Sequence, residues 1–212
     1  MKYLFYPIAL LLLALTGTEF YSSVVYAAKH LAQYQWFLYG ILAFFILMRI
    51  KFLSRNMEFL KTTTHEITHA IVGILCLHEI HSMSVNGGSG QVTHSGRGGD
   101  ILISLAPYCM PIFTFAFMAL SLLGAADKLF IFHLLIGFTL GFHLLCCWEQ
   151  TRLYQTDIKR QGYVRAIMFI AIGWLFNATL ILLTISRGVG GAVVYLFPQY
   201  WHDITNWWNL IF

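Results

Sequence analysis

Charge is what this chain has least of. Only 10% of its 212 residues are Asp, Glu, Lys or Arg, against 58% that are hydrophobic. A soluble domain carries roughly a quarter charged residues to keep its surface in water. A soluble fold is therefore excluded, and lipid is the main solvent. No acidic or basic tail is present, which removes nucleic acid from the partners. Cysteine is confined to Cys76, Cys109, Cys146 and Cys147, all in apolar stretches. Their spacing fits neither a zinc ribbon nor a disulfide framework, so they read as small buried residues. Proline is scarce too, yet Pro107 and Pro111 fall inside one apolar stretch. Two prolines four apart should bend or break a helix there.

What is present is a series of long apolar segments. They cover about residues 3–26, 34–50, 57–77, 100–123, 128–148 and 163–185. This predicts about six transmembrane helices in a single integral membrane domain, 1–212, with a catalytic core at about 57–186. The first segment has the charged start of a signal peptide, but it is long enough to cross a bilayer and reads as a retained span. The tail after Arg187 holds Trp201, Trp207 and Trp208 and reads as interfacial. Residues 78–99 differ from the rest. Glycine is dense, and "VNGGSGQV" reads as the turn of a β-hairpin. The expected class is an all-α, multi-pass membrane protein with a short β-hairpin.

Within the third segment lies "KTTTHEITHAIVGILCL", which places His65, Glu66 and His69 in a buried or membrane helix. Residues i and i+4 of a helix are about 40° apart around the axis and about 6 Å along it, so both imidazoles face one point. That point can hold Zn²⁺, which would offset the cost of burying polar groups. Glu66, beside the ligands, is placed as a general base toward a water activated there. The plainer reading is two buried histidines that hydrogen-bond other helices. Ionisable groups inside a membrane are functional by default, which favours the metal.

A catalytic zinc takes three protein ligands and keeps one open position. The aspartates are only Asp100, Asp127, Asp157 and Asp203. Asp100 and Asp127 look like helix caps. His78, His81 and His94 in the hairpin segment could also reach the site. Charge placement favours Asp157. The links 49–61 and 152–165 each hold four of the thirteen Lys and Arg residues, so both belong on the cytoplasmic side. His65 is ten residues past Arg55, about 15 Å along a helix, which puts the metal nearer the cytoplasm. For Asp157 to meet it, the hairpin must be re-entrant, dipping back toward the side where its helix began. Unpaired hairpin edges would then have to line protein or a water-filled cavity.

"HEITHAIVG" followed by "VNGGSGQVTHSG" resembles the site-2-protease-like membrane metalloproteases, in particular their compact, PDZ-less, B-like branch. The resemblance covers about residues 57–165. It implies His65, His69 and Asp157 as zinc ligands and Glu66 as general base. It implies hydrolysis of peptide bonds in membrane-protein or peptide substrates. The glycine-rich hairpin could pair with an unwound substrate strand, with Gly88, Gly90 and Val92 as contacts. The family's glycine after the aspartate is absent from "QTDI", and "APYCMP" lacks the asparagine usual after the hairpin. Any gating of access would come from a separate regulatory partner. The competing class is a non-catalytic membrane protein that uses the metal for structure or partner binding. Glu66 argues against it, because structure alone needs no base. A transporter is disfavoured by the few other intramembrane charges.

Overall fold

The computed structural model describes residues 2–86, 88–95 and 100–211. Helix dominates because backbone groups in lipid must be satisfied within their own segment. The order is α1 (Lys2–Lys29), α2 (Leu31–Leu47), α3 (Lys51–Leu75), β1 (Ile80–Asn86), β2 (Ser89–His94), α4 (Ile101–Leu105), α5 (Ile112–Ser121), α6 (Leu129–Gln150), α7 (Thr156–Gln161) and α8 (Tyr163–Ile211). Single 3₁₀ turns, Ala106–Tyr108 and Ala126–Lys128, precede α5 and α6.

The protein is mostly helical with one small hairpin, but the span count falls below the six expected. Among the described residues, three helices are long and apolar enough to cross a membrane, and the bent pair Ile101–Tyr108 and Ile112–Ser121 gives a fourth when taken as one span. The shortfall has two causes. α2 is apolar but only 17 residues long. α3 is built inside out: Lys61, Glu66 and Thr68 are buried while Phe59, Ile74 and Leu75 are exposed. Its polar inner face lowers its mean hydropathy, although its outer face suits lipid.

α2 and α6 pack backbone to backbone. A Cβ on Gly40 would collide with the Leu134 carbonyl, and one on Gly137 with the Phe37 carbonyl. Small residues at such crossings allow the close approach that drives association where lipid supplies no hydrophobic force. Tyr34, Phe37, Met118, Ile136, Leu140, Ile181 and Ile185 form the adjoining core.

The two prolines act as expected. The chain bends by 83° between the halves of the fourth segment. The freed carbonyls find donors on neighbouring helices. Trp174 Nε1 donates to the Tyr108 carbonyl at 2.8 Å, and Asn177 Nδ2 to the Cys109 carbonyl at 2.8 Å. A broken helix inside a membrane is tolerated only with such partners.

The tail departs from the interfacial reading. At Gly188 the backbone takes φ 71°, ψ 168°, which breaks α8 and reverses it. The return arm packs on the first arm: Ala192 and Leu196 join Leu183, and the Phe176 and Tyr200 rings stack at 6.5 Å. Glycine tolerates this φ at little cost, so composition shows the tryptophans but not the reversal.

Candidate metal centre

α3 delivers His65, Glu66 and His69 from one turn and a half. α7 delivers Asp157 from the link between α6 and α8, held by Ile158, which is buried among Leu105, Tyr108 and Ala166. His65 Nε2 and His69 Nε2 lie 3.7 and 3.6 Å from Asp157 Oδ2. Among the described residues this is the one group of three His, Cys, Asp or Glu whose ligand atoms fall together, all within 4.8 Å.

The donor set fits zinc. Tetrahedral ligands at about 2.0–2.1 Å from a metal are about 3.3 Å from one another, close to the separations seen. His69 Nδ1 is bonded to the Ile103 carbonyl at 2.7 Å, which fixes the ring and turns Nε2 toward the shared point. Tyr108 donates its hydroxyl to Asp157 Oδ2 at 3.3 Å, and its ring packs edge-on to His65 at 5.2 Å. Burial alone would raise the Asp157 pKa. Hydrogen bonds and charge from His65 and His69 outweigh it and hold the carboxyl below the usual carboxylate range.

The other candidates are drawn elsewhere. Asp100 caps α4 through the Leu102 amide at 3.0 Å. Asp127 lies in the 3₁₀ turn ahead of α6; Lys128 takes the cap position, without a side-chain bond. His94 lines the same cavity, but its Nδ1 faces His78 Nδ1 at 3.2 Å. His81 is exposed and sits where the ladder shifts register between Ile80 and Ser82.

The hairpin runs back along α3. A Cβ on Gly73 would meet Ile80, while one on Gly90 would meet the Glu66 side chain. Seven residues of helix, about 10 Å, separate these levels. The turn therefore returns to the height of the metal trio, as the re-entrant expectation requires of the polypeptide. Gly88, Gly90 and Val92 line a cavity of about 520 Å³ together with His65, Glu66, His69 and Asp157.

Sequence reasoning did not find three contributors: the Tyr108 hydroxyl, the Ile103 carbonyl and Arg160, which also lines the cavity. Arg160 could have been noticed three residues after Asp157 on one helical face. Nothing local marks a carbonyl or a tyrosine in "APYCMP" as a neighbour of residue 157. Below the site, Lys61 is buried and pairs with Glu58 and with Glu149, tying α3 to α6.

A family model described as Peptidase M50B-like matches residues 37–196. The matched segment contains the whole metal trio, the hairpin and the proposed core at 57–186. No curated protein and no solved structure matches the chain. The match covers most of the chain and agrees with the apolar helices and the His/Asp cluster, so the protein is a member of the Peptidase M50B-like family of membrane metallopeptidases.

Proposed function

We propose that this protein is an intramembrane zinc endopeptidase, with His65, His69 and Asp157 as ligands and Glu66 as the catalytic base. The observation that carries the reading is the convergence of two Nε2 atoms and one carboxylate oxygen at the wall of a polar cavity, with Glu66 alongside. When bound, zinc would polarise the scissile carbonyl and acidify a water, supplying Lewis-acid chemistry that no side chain here provides.

The residues divide the remaining work. Glu66 takes a proton from the attacking water and returns it to the leaving amine. Tyr108 and the Ile103 carbonyl orient Asp157 and His69. A helical substrate hides its carbonyls in hydrogen bonds and must unwind before it can be cut. The sheet has two strands, so β2 has an edge free of β1 among the described residues. Gly90 and Val92 on β2, with Gly88 in the turn before it, line the cavity, where that edge could take an extended substrate strand by backbone pairing. The positive charge of the two basic links supports a site nearer the cytoplasmic face.

The test compares membrane proteomes of cells carrying the wild type or Glu66→Gln. The glutamine variant should keep zinc and lose cleavage, leaving uncut membrane proteins that the wild type processes. Identical proteomes would favour the non-catalytic, metal-binding reading.

A further inference from the structure

A second cavity, of about 530 Å³, opens where α1 and α8 begin. It shares no lining residue with the metal cavity. α1 supplies Phe5 and Tyr6, and residues 161–165 at the α7–α8 corner supply the other wall. Arg165 lies over the Phe5 ring at 4.9 Å, so the two helices start level with one another. A level pair of span ends belongs at a membrane surface, where lipid headgroups lie, and not at mid-span.

Donors without partners line this cavity. Arg165 Nε is buried and has no hydrogen-bond partner among the described residues. An arginine that only reached for water would have that nitrogen wet. Contact with the Phe5 ring holds the guanidinium in place instead. The second set of donors is backbone. The first bond of α8 runs from the Ala166 amide to the Gly162 carbonyl at 2.9 Å, so the amides of Tyr163, Val164 and Arg165 have no carbonyl to meet in the helix. None of the three finds another backbone carbonyl among the described residues. α8 carries no acid in its first turn to offset their partial positive charge. Residues 152–165 hold Arg152, Lys159, Arg160 and Arg165 against a single acid, Asp157, which faces His65 and His69. The corner therefore lacks an anion. Its rim is apolar: Val164 is 62% exposed, and Ile8 and Ile167, one turn beyond Phe5 and Val164, are exposed too.

We propose that this corner binds the phosphate of an anionic phospholipid, with Arg165 and the first amides of α8 as donors and the apolar faces of α1 and α8 along the acyl chains. Phosphate oxygens accept hydrogen bonds both from a guanidinium and from the amides that open a helix. Basic pockets between membrane helices hold anionic headgroups in this way. Tyr6 and Tyr163, both exposed, suit the headgroup level. A phosphodiester with an uncharged headgroup fits better than one that carries choline. The choline ammonium would meet a link whose one acid is already engaged at the metal trio.

Native mass spectrometry of the full chain in detergent, titrated with phosphatidylglycerol or phosphatidylcholine, reads the site. The wild type should hold its first phosphatidylglycerol about tenfold or more tightly than phosphatidylcholine, the worth of hydrogen bonds to a charged group. Arg165→Gln should remove that preference. Val164→Glu, at an exposed position outside the packed core, should remove it too by setting a carboxylate against the phosphate. Arg152→Gln deletes the same charge from the same link but outside the cavity, and should keep the wild-type preference. A wild type that does not discriminate the two lipids overturns the proposal. So does a preference that survives in Arg165→Gln or Val164→Glu, or one that disappears in Arg152→Gln. Glycerol 3-phosphate that binds as tightly as the lipid and displaces it would assign the site to a soluble phosphate and remove the lipid.

Discussion

Gly90→Ala should slow peptide hydrolysis without displacing zinc. A Cβ at Gly90 would stand 2.4 Å from Glu66 Cγ, 2.7 Å from its Oε1 and 2.8 Å from its Cδ. Ordinary contact begins at 3.4 Å, so the side chain must retreat by about 0.6 to 1.0 Å, beyond the roughly 0.5 Å within which a catalytic group must be held. A displacement of about 1 Å can cost 10²-fold in rate, so kcat should fall about 10- to 100-fold, or roughly 1.4 to 2.7 kcal/mol. Backbone strain does not contribute, because Gly90 is not among the described glycines with positive φ, which are Gly162 and Gly188. Gly17→Ala, on α1 and away from the cavity, is the internal control. Nothing lies within 4 Å of a Cβ there, so activity should be unchanged. The assay is cleavage of a quenched-fluorescent transmembrane peptide library by reconstituted enzyme, with zinc measured on the same samples. Wild-type kcat in Gly90→Ala, or an equal loss in Gly17→Ala, would refute a Glu66 held by close backbone approach. So would loss of zinc from Gly90→Ala, because the perturbation reaches the base and not the ligands.

Replacing both His65 and His69 with Ala should abolish stoichiometric zinc in the purified protein; retained zinc would move the centre elsewhere. Tyr108→Phe removes one donor to Asp157 and should weaken zinc binding by about tenfold or less, the net worth of one hydrogen bond at about 0.5 to 1.5 kcal/mol, as read by chelator competition. An unchanged affinity would make the Tyr108 contact incidental. Single cysteines at Ser89 and Gln155, in a cysteine-free background, should be labelled by an impermeant thiol reagent from the same face of sealed vesicles, because both residues line one cavity. Labelling from opposite faces would break the shared cavity and the re-entrant hairpin with it.

The sequence by itself determined the solvent and the chemistry. Scarce charge and long apolar runs required lipid. His65, Glu66 and His69 declare themselves because one helical turn brings i and i+4 together whatever surrounds the helix. The hairpin was legible from "VNGGSG", and the break from Pro107 and Pro111, because turns and prolines act through their own backbone. Span count was less legible: α3 hides a lipid-facing surface behind polar residues that composition averages together. Asp157 could be favoured by charge placement, but its meeting with His65 across 92 positions is a tertiary event. So are the Tyr108 hydroxyl, the Ile103 carbonyl and the Gly90 backbone against Glu66. The reversal at Gly188, which lays Ala192 and Leu196 against Leu183, is equally a tertiary event. Local periodicity fixes what one helix presents, but which helices become neighbours depends on packing between segments far apart in the chain.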